Sequence, residues 1–308
     1  MNSFSEHPLF RVHTLDSAMG SLWSFYKKHF AALFFTSFVY SLITQLIMTQ
    51  VNLGDMSAYM SDPTKLLEFY KGMLGPILEV AGVSIIFNLI LQYYVLFNPI
   101  GDHPDILRSA LKSFRFLPAY IVIMILFGFM ATIASIFGLL LFFVGIIFAI
   151  FWLAMVYMFI LPVLLAEGNN ISNAVTRSFS LSHKEFWKNL GWVATIILIL
   201  LVVSIVGSVI IMIPFTGNIF KTLSNPQDIS ATANFSASPL YLGLSSLMSA
   251  LVTPLLPVFS AILYFNATAK QMPEIRREET GEPFRVRVED LYAKPYSDDH
   301  PDNPDNKK

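Results

Sequence analysis

Hydrophobic positions along this chain do not alternate with polar ones; they form long unbroken blocks separated by short polar stretches. Residues 116–166, between Arg115 and Glu167, carry no formal charge. A bilayer core about 30 Å thick takes about 20 apolar residues as helix, so this block is too long for one crossing. It predicts a hairpin of two spans, 117–137 and 140–166, turning near 136–139. A turn at that depth must satisfy its own backbone hydrogen bonds or reach the opposite headgroups, because hydrocarbon offers no partners. Four more blocks predict spans at about 30–51, 72–97, 186–213 and 240–268, six in all.

The stretches between the blocks are patterned differently. In 15–28, Leu15, Ala18, Leu22 and Phe25 recur at helical spacing, with Thr14 or Asp16 available as N-cap. Residues 102–116 and 170–188 form two more amphipathic, basic segments, so three interfacial helices are expected on one side of the membrane. Asp62 and Pro63 are placed to cap and start a short surface helix within 52–71. Asn98, Pro99 and Gly101 stop the second span, and Glu167 with Gly168 end the fourth. Ser182, three residues before Glu185, predicts a capping box at the start of span five. The loop 214–239 is rich in Ser, Thr, Asn and Pro and is expected to be mobile. Within it Asn234-Phe235-Ser236 is a glycosylation sequon only in a eukaryotic secretory pathway. Pro254 and Pro257 interrupt span six. The small residues of the hairpin's first helix stand four apart, Gly128 with Thr132, Ala131 with Ser135 and Ala134 with Gly138, a spacing that suits close packing.

Three organisational readings follow. Residues 1–268 form a six-span membrane domain, and 269–308 a polar tail expected to be largely disordered. Of the 20 Lys and Arg, all but Lys65, Lys71 and Lys221 fall on the side of the interfacial helices, which predicts cytoplasmic N- and C-termini. A shift of 156 residues matches Ala18 with Ala174, Trp23 with Phe179, Ser24 with Ser180, Lys28 with Lys184 and Phe30 with Phe186. The chain thus reads as a pseudo-threefold repeat of interfacial helix, span and span, although the middle unit matches only in type, and the shared needs of interfacial helices account for the matches equally well. The fold class is all-α integral membrane.

Composition agrees: 55% hydrophobic, 13% charged and 28 Phe depart far from a soluble domain's balance. The absence of cysteine excludes disulfides, thiolate metal sites and cysteine nucleophiles. Residues 1–14 lack the basic and apolar regions of a removable signal peptide.

Glu167-Gly168, Ala174, Arg177-Ser178, Leu181-Ser182 and Phe186-Trp187, with the proline-containing last helix and its Leu263-Tyr264-Phe265 exit, resemble a bacterial six-span family. That family includes YciC and the membrane domain of some glycerophosphodiester phosphodiesterases. The resemblance implies an envelope membrane protein without chemistry of its own. The phosphodiesterase barrel and its metal-binding acidic residues have no counterpart among these residues, so that activity does not carry over.

Glu79 is the acidic residue placed inside a span, where an ionisable group is costly and suggests a proton carrier or substrate contact. About two turns from the outer side, it could equally reach water or sit protonated against a neighbour. With Asn88, Gln92 and Gln45 it makes up a candidate intramembrane polar site. Arg108, Lys112, Arg115, Arg177, Lys184 and Lys188 form a candidate basic rim for lipid headgroups, or charges that only set orientation. No HExxH, GxSxG or phosphate-loop sequence occurs, and the six histidines lack ligand spacing. No catalytic residue, cofactor or metal site is expected. The expected partners are membrane lipids or another membrane protein, not nucleic acid, in a cytoplasmic (inner) membrane. The leading expectation is a non-catalytic protein that organises envelope lipid or a membrane partner; the alternative is a transporter or lipid-translocating protein with Glu79 in its pathway.

Overall fold

The computed structural model describes residues 2–51, 63–101, 106–217 and 238–280, and among these the chain is helical. Ten α-helices follow in order: α1 (Leu15–Lys28), α2 (Phe30–Met48), α3 (Pro63–Phe97), α4 (Ile106–Ser113), α5 (Leu117–Leu140), α6 (Phe142–Glu167), α7 (Ile171–Lys184), α8 (Phe186–Met212), α9 (Pro239–Val252) and α10 (Leu255–Thr280). Six stretches are long and apolar enough to cross a membrane. The protein is a six-span membrane protein, all-helical among the described residues.

Burial identifies the central helices. The apolar windows within Pro239–Gln271 and Val144–Glu167 are 56% and 44% buried, against 11–17% for the other four. Helices α6 and α10 therefore form the axis, and α3 packs against both. In hydrocarbon the apolar effect does not draw helices together, so close packing and interhelical hydrogen bonds must. Pro162 inside α6 has no N–H and leaves the Met158 carbonyl without its helical donor. Ser260 of α10 supplies one at 2.5 Å. Phe159 and Phe259, next in the chain to the two bonded residues, are fully buried.

The core sits toward one end of the bundle. Leu89 to Leu96 of α3, Met155 to Leu165 of α6 and Val258 to Phe265 of α10 supply most of it, and α1, α4 and α7 gather at that end. The segment before α1 belongs to it too: Leu9, His7 and His13 are buried, and Phe4 and Phe10 lie 5.8 and 5.6 Å from the Phe265 ring. At the other end large apolar side chains such as Leu141 and Val144 stay uncovered.

Several boundaries differ from expectation. The hairpin turns at Leu141–Phe142, because Gly138 is a packing residue: a Cβ on it would stand 3.0 Å from the Gly145 carbonyl oxygen across the hairpin. Phe142 takes φ 57° there, a left-handed conformation that costs a non-glycine residue roughly 1 kcal/mol. Of the other paired small residues, Gly128, Thr132 and Ser135 are exposed. The expected surface helix and second span are one continuous helix beginning at Pro63, since Gly72, Gly75 and Pro76 do not break it. The Ser182 capping box is absent: α7 continues to Lys184, Ser182 donates to the Phe179 carbonyl within it, and Glu185 enters α8 without a side-chain cap. Helix α10 runs to Thr280, past 268, because Lys, Gln, Glu and Arg are good helix formers. Asp62, most of the 214–239 loop, the sequon and 281–308 lie outside the described residues.

Other boundaries agree. Thr14 caps α1 in a capping box with Ser17. Gly168 ends α6 at φ 111°, a conformation that L side chains rarely adopt. The last span breaks between α9 and α10, at Thr253 and Pro254. Helices α1 and α7 are both 14 residues long and begin 156 positions apart; each is followed, after one residue, by a long helix starting at a phenylalanine.

Candidate functional site

At the core end, the turn at Gly168 leaves Glu167 where α7 and α10 converge. Asn170 caps α7, and Arg177 two turns into that helix reaches back to Glu167 at 3.4 Å. Its other arm donates to Gln271 at 2.6 Å, and the Tyr264 hydroxyl donates to the same Glu167 oxygen at 3.3 Å. The carboxylate is only 10% exposed, and the phenol and guanidinium compensate its burial. Arg177 is therefore a clamp joining α6, α7 and α10, turned inward.

A second cluster forms where α7 meets α8. Lys270 binds Glu185 at 2.5 Å and Lys188 approaches it at 3.5 Å. The Lys270 ammonium holds the Glu185 carboxyl below the ordinary carboxylate range. Glu185 is 40% exposed, so the cluster orients more than it stabilises. Asn189 donates to the carbonyls of Leu181 and Ser182, closing the end of α7. Lys184 is exposed and borders a small cavity beside Glu185 and Lys270. The six rim cations thus divide into two groups. Arg177, Lys184 and Lys188 stand among acidic and amide partners, whereas Arg108, Lys112 and Arg115 are exposed along α4 and the turn after it. The Arg115 guanidinium lies 4.6 Å from the Phe116 ring. Beside these cations Leu107, Leu111 and Phe114 are 67%, 68% and 43% exposed.

The four intramembrane polar residues do not converge. Glu79 is exposed, and nine positions along α3 turn Asn88 to the opposite side of the helix. Asn88 donates to Ser84 of its own helix, and Gln92 is buried with its amide nitrogen lacking a protein partner. Gln45 lines a cavity of about 360 Å³ between α2, α8 and α9, with Ser204, Ser208, Ser245, Ser249 and Thr253. This cavity ends at the break in the last span, where Pro254 and Pro257 remove two backbone donors. There Tyr26 of α1 donates to the Leu251 carbonyl at 3.1 Å.

The histidines of the N-terminal segment are structural. Leu9 N–H donates to His7 Nδ1, so His7 Nε2 carries the proton and donates to the Val95 carbonyl at 3.0 Å. Burial pushes the His7 pKa down to about 4. His13 is pushed down by burial as well, and its backbone N–H donates to Asn266 at 2.9 Å. In the last turn of α7, His183 accepts from the Trp152 indole at 3.1 Å. Among the described residues no three His, Asp or Glu side chains gather as a metal site.

Sequence reasoning missed the Glu167–Arg177–Tyr264–Gln271 clamp, the Glu185–Lys270 pair and the serines of the Gln45 cavity. Each joins residues far apart in the chain. The available signal was a lone acidic residue closing an apolar block beside a glycine, which marks a carboxylate at a helix end.

Residues 55–289 match the family described as the membrane domain of glycerophosphoryl diester phosphodiesterase. No curated protein and no solved structure matches the chain.

Proposed function

The chain belongs to the family of the membrane domain of glycerophosphoryl diester phosphodiesterase, and from that premise we propose a non-catalytic membrane protein that organises phospholipid. The observation that carries the reading is the surface of α4 and its following turn. Leu107, Leu111 and Phe114 are exposed there beside Arg108, Lys112 and Arg115, apolar groups to enter the acyl region and cations to meet headgroup phosphates. Each such cation contributes about 1 kcal/mol near an anionic surface. The glycerophosphoryl diester of the family's name is the same phosphodiester that a phospholipid headgroup carries. The apolar packing of α3, α6 and α10 also favours a scaffold over a channel. In this reading α1, α4 and α7 lie at the cytoplasmic face of a bacterial inner membrane with both termini inside, and the 156-residue correspondence between α1 and α7 reflects a duplicated unit.

The test is mass spectrometry of lipids retained when the protein is extracted in native lipid discs. Wild type should retain an anionic phospholipid above its bulk proportion, and Arg108→Ala/Lys112→Ala/Arg115→Ala should lose that enrichment. Bulk composition in both would overturn the reading.

The polar cavity at the break of the last span favours a second reading, lipid translocation, because discontinuous helices build such sites in transporters. Glu79 has no part in it. Headgroup scrambling in proteoliposomes that is lost in Gln45→Leu and kept in Glu79→Gln would select this second reading.

A further inference from the structure

A separate cavity of about 380 Å³ lies beside α1, in the part of the chain outside residues 55–289. Ser17, Gly20, Ser21, Ser24 and Lys28 line it at helical spacing, so one face of α1 offers small side chains and hydroxyls. Arg11, from the segment preceding the helix, closes the other side, its guanidinium donating to Ser21 Oγ at 2.6 Å. Leu9 and Phe25 form an apolar floor.

The second unit of the chain shows what this arrangement lacks. At a shift of 156, Arg11 and Ser21 correspond to Glu167 and Arg177, Lys28 to Lys184, and Gly20 to Thr176. In that unit the chain's own carboxylate neutralises the arginine. In the first unit the partner of Arg11 is a neutral hydroxyl, and among the described residues no carboxylate pairs with Arg11 or Lys28. Glycine in place of threonine keeps the space open; a Cβ on Gly20 would meet nothing within 4 Å.

We propose that this cavity binds a phosphate ester. Two cations with several hydroxyl donors suit an oxyanion that accepts many hydrogen bonds, and a planar guanidinium can engage two of its oxygens at once. The open side leaves room for the alcohol of the ester. The cavity runs along α1 from Ser17 to Lys28, two residues before α2 begins, and lies near the exposed Trp23 that Lys27 overlies, so a phospholipid headgroup and a soluble phosphate ester both have access. The proposal uses none of the α4 residues and stands independently of the reading above.

The test is calorimetric binding to the full chain in maltoside micelles, with sn-glycerol 3-phosphate and short-chain phosphatidylglycerol as probes. Wild type should bind at least one of them; preference for phosphatidylglycerol identifies a lipid source, and preference for glycerol phosphate a soluble one. Arg11→Gln and Lys28→Gln should each weaken binding tenfold or more. Gly20→Leu keeps both charges and fills the cavity, and should weaken binding as much, with the helical circular dichroism and melting of wild type. Lys27→Gln, the neighbouring cation outside the cavity, should change it less than twofold. Absence of binding to both probes, wild-type binding by Gly20→Leu, or an equal loss in Lys27→Gln would overturn the proposal.

Discussion

Ser260 donates its hydroxyl to the Met158 carbonyl, the one backbone acceptor of α6 that Pro162 deprives of its helical partner. A proline in one central helix and a serine in the other thus form a single device. Ser260→Ala should cost about 1–2 kcal/mol, the cost of leaving a buried carbonyl unpaired. Pro162→Ala restores an N–H to that carbonyl, so adding it to Ser260→Ala should recover part of the loss. Reversible unfolding in mixed micelles measures the cycle; strict additivity would show the two residues to be independent.

The Glu167–Arg177 clamp predicts an asymmetric response. Arg177→Met leaves a nearly buried carboxylate facing only Tyr264, and should destabilise by about 3 kcal/mol. Glu167→Gln/Arg177→Met removes both charges and should be the milder change. Thermal melting of the two variants against wild type decides it. Arg177 substitutions are accordingly unsuited to testing headgroup contact, because they loosen the junction of three helices.

His7 makes the N-terminal segment sensitive to acid. In the unfolded chain it titrates near 6.5, and in the fold at about 4, so the folded state binds fewer protons between those values. The contribution is complete above pH 6.5 and fades as pH falls to 4, by about 3 kcal/mol in all. His13 and His29 are pushed down by burial too and act in the same direction. Amide hydrogen exchange over 7–14, corrected for intrinsic rates, should accelerate between pH 7 and pH 5, and His7→Phe should blunt that change.

Gly145 faces Gly138 across the hairpin more closely than any larger residue permits. Gly145→Val should push α5 and α6 apart and cost about 1–3 kcal/mol. Spin labels at Ile133 and Ile150 should report the separation as a longer distance, while labels on α10 and α3 should not move.

Much of the architecture was legible because bilayer thickness imposes it. Five apolar blocks, one of them long enough for two crossings, could only be six spans, and Thr14, Gly168 and the Thr253–Pro254 break stand where local chemistry put them. What eluded the sequence depends on neighbours. Gly138 has the composition of a turn, yet it serves packing because Gly145 lies opposite. Ser182 has a capping spacing, but the helix before it continues and uses its hydroxyl. The candidate polar site was drawn from residues uncommon in spans, and Glu79 and Asn88 lie about two and a half helical turns apart, on opposite sides of α3. Arg177 reads as one more surface cation until Gln271, 94 positions away, is seen to hold it.

Confinement of the core to one end gives the two leaflets of a membrane different parts in the structure. Toward α1, α4 and α7 the inner faces of α3, α6 and α10 are covered by protein. Around Leu139 to Val144, where described side chains are 66–79% exposed, acyl chains must complete them. Lipid in that leaflet acts as a deformable share of the tertiary structure, and a change in chain length or order there should shift α5 against α6 and α10 with no residue altered.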